Sequence, residues 1–193
     1  MPQLAEVNAS EGLAAFEHGQ FDEAKKKLGI AAKAFQTLKA TDETATSTIQ
    51  YAKEAAIFAD QAQHTLNQIV DEIARLGDPE GVARFDSNYK TQAILVESDV
   101  EDVRDGVLHL AYRIHVGQGP IAAKKGKLDL KGFQLYSPGT VKKDDHLIFG
   151  ARLGSIRLED GYWLISLEPE SGVHMTNAKA LALVLAVPGE TTP

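Results

Sequence analysis

The sequence predicts an α+β protein in which antiparallel helices come first and a small antiparallel β domain follows. Apolar residues recur at helical spacing in the first part of the chain and alternate at a period of two from about Lys90 onward. Two Asp-Gly pairs, which are strong hairpin signals, lie within the second part. We therefore expect a helical, repeat-like domain over residues 1–78 and a small β-barrel domain with short flanking helices over residues 79–193.

Three helices are expected in the first domain, because breaks in the apolar pattern fall at residues 18–20 and 40–42. The second helix, residues 21–38, has one apolar face. The residues of this face are Phe21, Ala24, Leu28, Ala31, Ala32 and Phe35. A single long third helix is expected over residues 43–76, with Gly77 at its C-cap position.

A short helix is expected at the joint between the two domains, with Asp78 as its N-cap and Pro79 at its first position. Five strands with alternating apolar residues follow it. Their expected ranges are Ile94–Val100, Leu108–Val116, Leu128–Leu135, His146–Leu158 and Tyr162–Leu167. We expect these strands to form a small five-stranded antiparallel barrel.

The last of these strands carries two aromatic residues in succession, Tyr162 and Trp163. Because neighbouring residues of a strand point to opposite faces, only one of the two can face the core. We expect Trp163 to be buried and Tyr162 to point outward. A short C-terminal helix over residues 177–186, capped by Thr176, is expected to complete the chain.

The stretch from residue 12 to residue 31 resembles a single tetratricopeptide repeat. The residues that match the repeat pattern are Gly12, Gly19, Phe21, Ala24, Leu28 and Ala31. No second copy follows at the period of about 34 residues that is typical of this family, and arrays usually need about three repeats to be stable. The resemblance implies a helical hairpin that docks on the β domain of the same chain or on another copy of the chain.

The β region resembles an OB-type barrel in its strand count, its first long meander and its closing hairpin. The string NYKTQAILVESDVEDV is similar to the first strand of such barrels. Residues 137–145 are too few for the helix that OB barrels commonly carry between strands three and four, so an SH3-like barrel is the alternative. The OB resemblance implies binding of oligonucleotides as a function class.

A basic stretch lies within the β region, where seven cationic side chains accompany a single acidic one. The seven are Arg113, Lys124, Lys125, Lys127, Lys131, Lys142 and Lys143. In an OB-type barrel, basic loops with nearby aromatic residues are typical of sites for single-stranded nucleic acid or another polyanion. Protection of an edge strand by lysine is the preferred interpretation, and docking against the acidic helical part is a third.

The residue types exclude several chemistries. The chain has no cysteine, which excludes thiol catalysis, disulfides and cysteine-ligated zinc. The six histidines show no metal-ligand spacing, and no phosphate-binding loop or nucleophile motif is present. We therefore predict no catalytic, cofactor-binding or metal-binding residue and expect a protein that is not an enzyme.

The leading hypothesis is a non-catalytic interaction or scaffolding module that binds a protein partner, or forms a homo-oligomer, through its helical part. Nucleic acid or polyanion binding by the basic stretch is the first alternative, although the net charge of −7 argues against it. An enzyme with carboxylates between the two domains is the second. The sequence contains no apolar window of about 20 residues and no secretory signal, so we expect a cytoplasmic protein without a membrane partner.

Overall fold

The computed structural model describes residues 2–104, 107–111, 126–130, 133–137 and 141–185. In these ranges the helices are α1 (Pro2–Glu17), α2 (Phe21–Leu38), α3 (Glu43–Ala59), α4 (Leu66–Leu76), α5 (Glu80–Asn88) and α6 (Ala178–Leu185). The strands are β1 (Ala93–Arg104), β2 (Val107–Ala111), β3 (Gly126–Asp129), β4 (Leu135–Tyr136), β5 (His146–Glu159), β6 (Tyr162–Leu167) and β7 (Gly172–His174). The predicted α+β class is confirmed.

The chain divides into two compact units. The helical unit combines Met1–Ala59 with the segment that begins at Met175, and the β unit is Asp60–His174. This division differs from the expected boundary at residue 78, because α4 belongs to the β unit and α6 belongs to the helical unit. None of the helices in the described part of the chain has both the length and the apolar character needed to cross a membrane.

In the helical unit, α2 packs against both α1 and α3. The apolar face predicted for α2 is buried, apart from the partly exposed Phe21. Gly12 lies so close to α2 that an added Cβ atom would be 2.8 Å from Leu28 Cγ. Beyond it, Phe21 stacks on Phe58 with 4.8 Å between ring centroids. A glycine therefore allows α1 and α2 to approach closely, and aromatic rings pack where α2 begins and α3 ends.

The prediction of one long third helix is wrong, because α3 ends at Ala59 and α4 begins at Leu66. The backbone after α3 pairs with the first strand instead of continuing as helix. Ala93 N donates to Asp60 O, and Ala62 N donates to Ala93 O, each over 2.8 Å. Thr65 then forms a capping box with Gln68, which starts the new helix.

Two predicted helix caps are displaced by one residue. Helix α5 takes Pro79 as its N-cap, without a side-chain hydrogen bond, where Asp78 was expected. At the start of α6, Asn177 Oδ1 accepts a hydrogen bond from Ala180 N over 3.0 Å. Asn177 therefore has the capping role that was expected of Thr176.

The sheet of the β unit has the strand order β2-β1-β5-β6-β3, and β7 pairs with both β5 and β4. The first half of the long strand β5 pairs with β1 and the second half with β6, so β5 is the centre of the sheet. The β3–β6 and β4–β7 pairs are parallel. The sheet is therefore mixed, so the expectation of purely antiparallel pairing is wrong. Over the described strands it is open, so the expected barrel is not confirmed.

The structure differs from the expected barrel at the predicted third strand. That segment forms two short strands, β3 and β4, which pair with different partners. The strands expected around β1, β5 and β6 are confirmed, and Arg104 lies opposite Val107 in the antiparallel β1–β2 pair. The expected turn at 105–106 and the end of the second predicted strand, residues 112–116, lie outside the described residues.

The core of the β unit is built from alternate residues of the strands, together with α4 and α5. Trp163 is buried and Tyr162 is 37 % exposed, as the strand alternation predicted. Ile69 and Ile73 of α4 and Phe85 of α5 are buried in the same cluster. The apolar stripe of α4 therefore packs into the core of the β unit, which is why α4 belongs to this unit.

Candidate binding groove

A groove of about 490 Å³ lies on the helical unit between α1 and α3. Its lining residues are Glu6, Ala9, Ser10, Leu13, Leu28, Glu43, Thr44, Ser47, Thr48 and Tyr51. Leu28 is the single contribution of α2 to this lining. The groove is therefore made by one face of α1 and one face of α3, with α2 beneath them.

The spacing of the lining residues explains the shape of the groove. Thr44, Ser47, Thr48 and Tyr51 follow the spacing i, i+3, i+4 and i+7, which places them on one face of α3. Four of the ten lining residues are serine or threonine, whose short side chains leave space between the two helices. This polar face was not predicted, although its helical period is visible in the sequence.

The charges along the groove have one sign. Glu6 and Glu43 are exposed, and the lining contains no lysine, arginine or histidine. Within the described part of the chain, neither of these carboxylates forms an ion pair. Burial raises the pKa of the Tyr51 phenol above its ordinary value, and the carboxylates of Glu54 and Glu17 raise it further.

The wall of the groove also contains a hydroxyl that is unpaired among the described residues and belongs to a largely buried residue. Thr48 is only 5 % exposed, yet it lines the groove. Its side chain makes no hydrogen bond with any residue that the structure describes. The hydroxyl itself is not sealed from solvent, so it is available to a molecule that enters the groove.

Near the groove, the fully buried Glu54 joins α3 to the start of α6. Its Oε1 accepts hydrogen bonds from Gln50 Nε2 over 2.7 Å and from Thr176, whose Oγ1 and N lie at 2.6 and 3.0 Å. Its Oε2 accepts from Asn177 N over 3.1 Å. A carboxylate at a helix N-terminus pairs with the free amides there, so Glu54 fixes α6 to the helical unit.

The basic stretch is described only in part. Arg113, Lys124, Lys125 and Lys131 lie outside the described residues. Lys127 lies on β3, whereas Lys142 and Lys143 precede β5 in a segment that hydrogen-bonds with β1. In the strand order, β5 and β6 separate β1 from β3.

The surroundings of these described lysines are balanced in charge. Lys127 Nζ lies 3.7 Å from the centroid of the Tyr162 ring. On the same outer face, Arg157 pairs with Asp129 over 3.0 Å and with Glu159 over 2.8 Å. In sequence, Lys142 and Lys143 are followed directly by two aspartates.

A second titratable cluster lies in the β unit, where the Tyr89 hydroxyl donates a hydrogen bond to Glu72. Burial, together with this hydrogen bond, raises the pKa of Tyr89 to about 12. The phenol is therefore neutral near pH 7 and acts as a donor there. Among the described residues, no group of three or more histidine, aspartate or glutamate side chains is placed to hold a metal ion.

Comparisons with protein-family models, with curated protein sequences and with solved structures gave no significant match. The physical features of the two units are therefore the basis for a functional proposal.

Proposed function

We propose that the helical unit is a protein-binding module that takes a segment of a partner protein into the groove between α1 and α3. The observation that carries the proposal is the groove itself, whose volume of about 490 Å³ falls within the range of natural ligand sites. Its lining combines the buried apolar residues Ala9 and Leu28 with serine and threonine hydroxyls. Such a mixture suits a peptide, which presents both side chains and backbone polar groups.

The resemblance to a tetratricopeptide repeat supports this assignment. Gly12 allows α1 and α2 to approach closely, and Gly19 takes the positive φ of 75° that the turn between them needs. Repeats of this kind use extended concave surfaces for binding. In this chain the corresponding surface is formed by α1 and α3, the helices on either side of α2.

For the β unit we propose an OB-type Greek-key barrel as the finer fold assignment. Support comes from the strand order, in which β1 pairs with β2 and β5, and β6 pairs with β5 and, in parallel, with β3. Polyanion binding by the basic stretch is the alternative function that goes with this fold. The charge balance around Lys127 weakens that alternative, so the groove remains the preferred site.

Selection from a random-peptide display library on the immobilised protein tests the proposed function. We expect a set of related peptides whose binding falls by about tenfold or more in Ser10→Trp, because the indole fills the groove. Ala14→Trp is the matched control, since Ala14 is exposed on the same helix but does not line the groove. Failure to select any peptide, or equal binding by the two variants, would contradict the proposal.

A further inference from the structure

We infer that the groove between α1 and α3 selects a cationic segment, namely a peptide that carries lysine or arginine side chains. The inference rests on the proposed function and adds the chemistry of the partner. It identifies Glu6 and Glu43 as the residues that determine this preference.

The charge distribution of the groove is the first reason. Glu6 is on α1 and Glu43 is at the start of α3, so each of the two walls contributes one carboxylate. Each is exposed and, among the described residues, without a cationic partner. The other eight lining residues are neutral. A bound lysine or arginine would therefore form ion pairs with these carboxylates without breaking an existing ion pair.

The surroundings of Tyr51 extend the same sign of charge. This residue lines the groove, and the carboxylates of Glu54 and Glu17 act on its phenol. Glu17 is paired with Lys179, so the repulsion that an acidic segment would meet comes from Glu6 and Glu43. The net charge of −7 adds attraction for a cationic partner at long range.

The hydroxyl of Thr48, a residue that is itself 5 % exposed, is the second, independent reason to expect a peptide. It lies in the groove wall without a hydrogen-bond partner in the described part of the chain. A hydroxyl both donates and accepts, so it can pair with either polar group of a peptide backbone. Thr48 thus forms a hydrogen bond with the backbone of the bound segment, while Glu6 and Glu43 pair with its cationic side chains.

Fluorescence anisotropy with three labelled peptides of equal length tests the inference. The peptides are identical except at a few positions, which are all lysine, all glutamine or all glutamate. We expect the lysine peptide to bind tightest and the glutamate peptide to bind weakest. In the double variant Glu6→Gln, Glu43→Gln, the affinity for the lysine peptide should fall by about tenfold, because both ion pairs between the peptide and the groove are lost. The glutamine peptide should bind as before.

The matched control is the double variant Asp22→Asn, Glu23→Gln, which removes the same net charge from exposed positions on α2 that do not line the groove. It should leave the affinity for the lysine peptide within about twofold of the original. An equal loss in both double variants would mean general attraction, and would overturn the inference.

The groove-filling variant separates failure of the inference from failure of the proposed function. Equal binding of all three peptides, lost in Ser10→Trp, would retain the groove and overturn the cationic preference. If the glutamate peptide binds tightest and this binding is lost in Ser10→Trp, the groove is again retained and the cationic preference is overturned. Binding of the lysine peptide that persists in Ser10→Trp, or no binding of any of the three, would overturn both.

Discussion

Glu54 shows how one side chain can join distant parts of a chain. The carboxylate lies on α3, yet it accepts three of its four hydrogen bonds from Thr176 and Asn177. Because it is fully buried, these donors and Gln50 take the place of water as its hydrogen-bond partners. The partners are separated from it by 122 and 123 positions in sequence, so no periodic pattern could have revealed the pairing.

Replacing Glu54 with alanine should lower the free energy of unfolding of the helical unit by about 2–4 kcal/mol, because buried donors lose a charged acceptor. Urea denaturation followed by far-ultraviolet circular dichroism measures the change. Hydrogen exchange should also show faster exchange of the α6 amides, since the start of that helix is no longer held.

The control is Glu11→Ala, which also replaces a helical glutamate. Glu11 is exposed and pairs with Lys27 over 2.7 Å, so its loss should cost no more than about 1 kcal/mol. A Glu54→Ala protein as stable as the Glu11→Ala protein would mean that water replaces the carboxylate, and that Glu54 does not hold α6.

At the scale of the element, the hairpin of α1 and α2 depends on a close approach at one glycine. Gly12 is buried, and an added Cβ atom would lie 2.8 Å from Leu28 Cγ and 2.9 Å from Leu28 N. Gly29 is also helical, but nothing lies within 4 Å of its added Cβ atom. The two positions therefore separate the steric role of glycine from its low helix propensity.

Gly12→Ala should destabilise the helical unit by about 1–3 kcal/mol, because the backbone of α2 cannot move away as a side chain would. Gly29→Ala should stabilise it by about 0.5–1 kcal/mol through helix propensity alone. Urea denaturation midpoints of the two variants and the parent protein provide the comparison. Equal shifts of the same sign would show that the α1–α2 contact is looser than described.

Local patterns predicted the elements whose structure is set by nearby residues. The buried face of α2 and the inward residues of β6 followed directly from their periods of 3.6 and 2. The break before α4 was also marked in the sequence, by the Thr65-x-x-Gln68 spacing of a capping box. The expectation of a single helix over residues 43–76 overlooked that signal.

Pairings between distant strands were beyond a single sequence. Nothing in the residues of β3 states that its partner is β6 or that the two run parallel. Likewise, the groove needs α1 and α3 side by side, which depends on how both helices pack on α2. Periodicity predicts which face of a helix is apolar, but the neighbour of that face is set by the whole fold.

At the scale of the whole molecule, the helical unit is discontinuous in sequence. The chain leaves it after Ala59, forms the β unit, and returns at Met175 to add α6. A boundary at a single residue, such as the expected one after residue 78, separates α6 from the unit that it completes. The discontinuity makes the stability of the helical unit dependent on the end of the chain.

Two truncated chains test this dependence, one ending at His174 and the other at Leu185. The first lacks α6 and leaves the buried Glu54 without three of its donors, so its helical unit should unfold at a lower urea concentration. Circular dichroism follows that transition, whereas the fluorescence of Trp163, the single tryptophan of the chain, reports the β unit and should be unchanged.

The chain ending at Leu185 retains α6 and should match the parent protein in both signals. A joint shift of both signals in the shorter chain would instead mean that the two units unfold as one, because removing a helix from one unit would then have weakened the other.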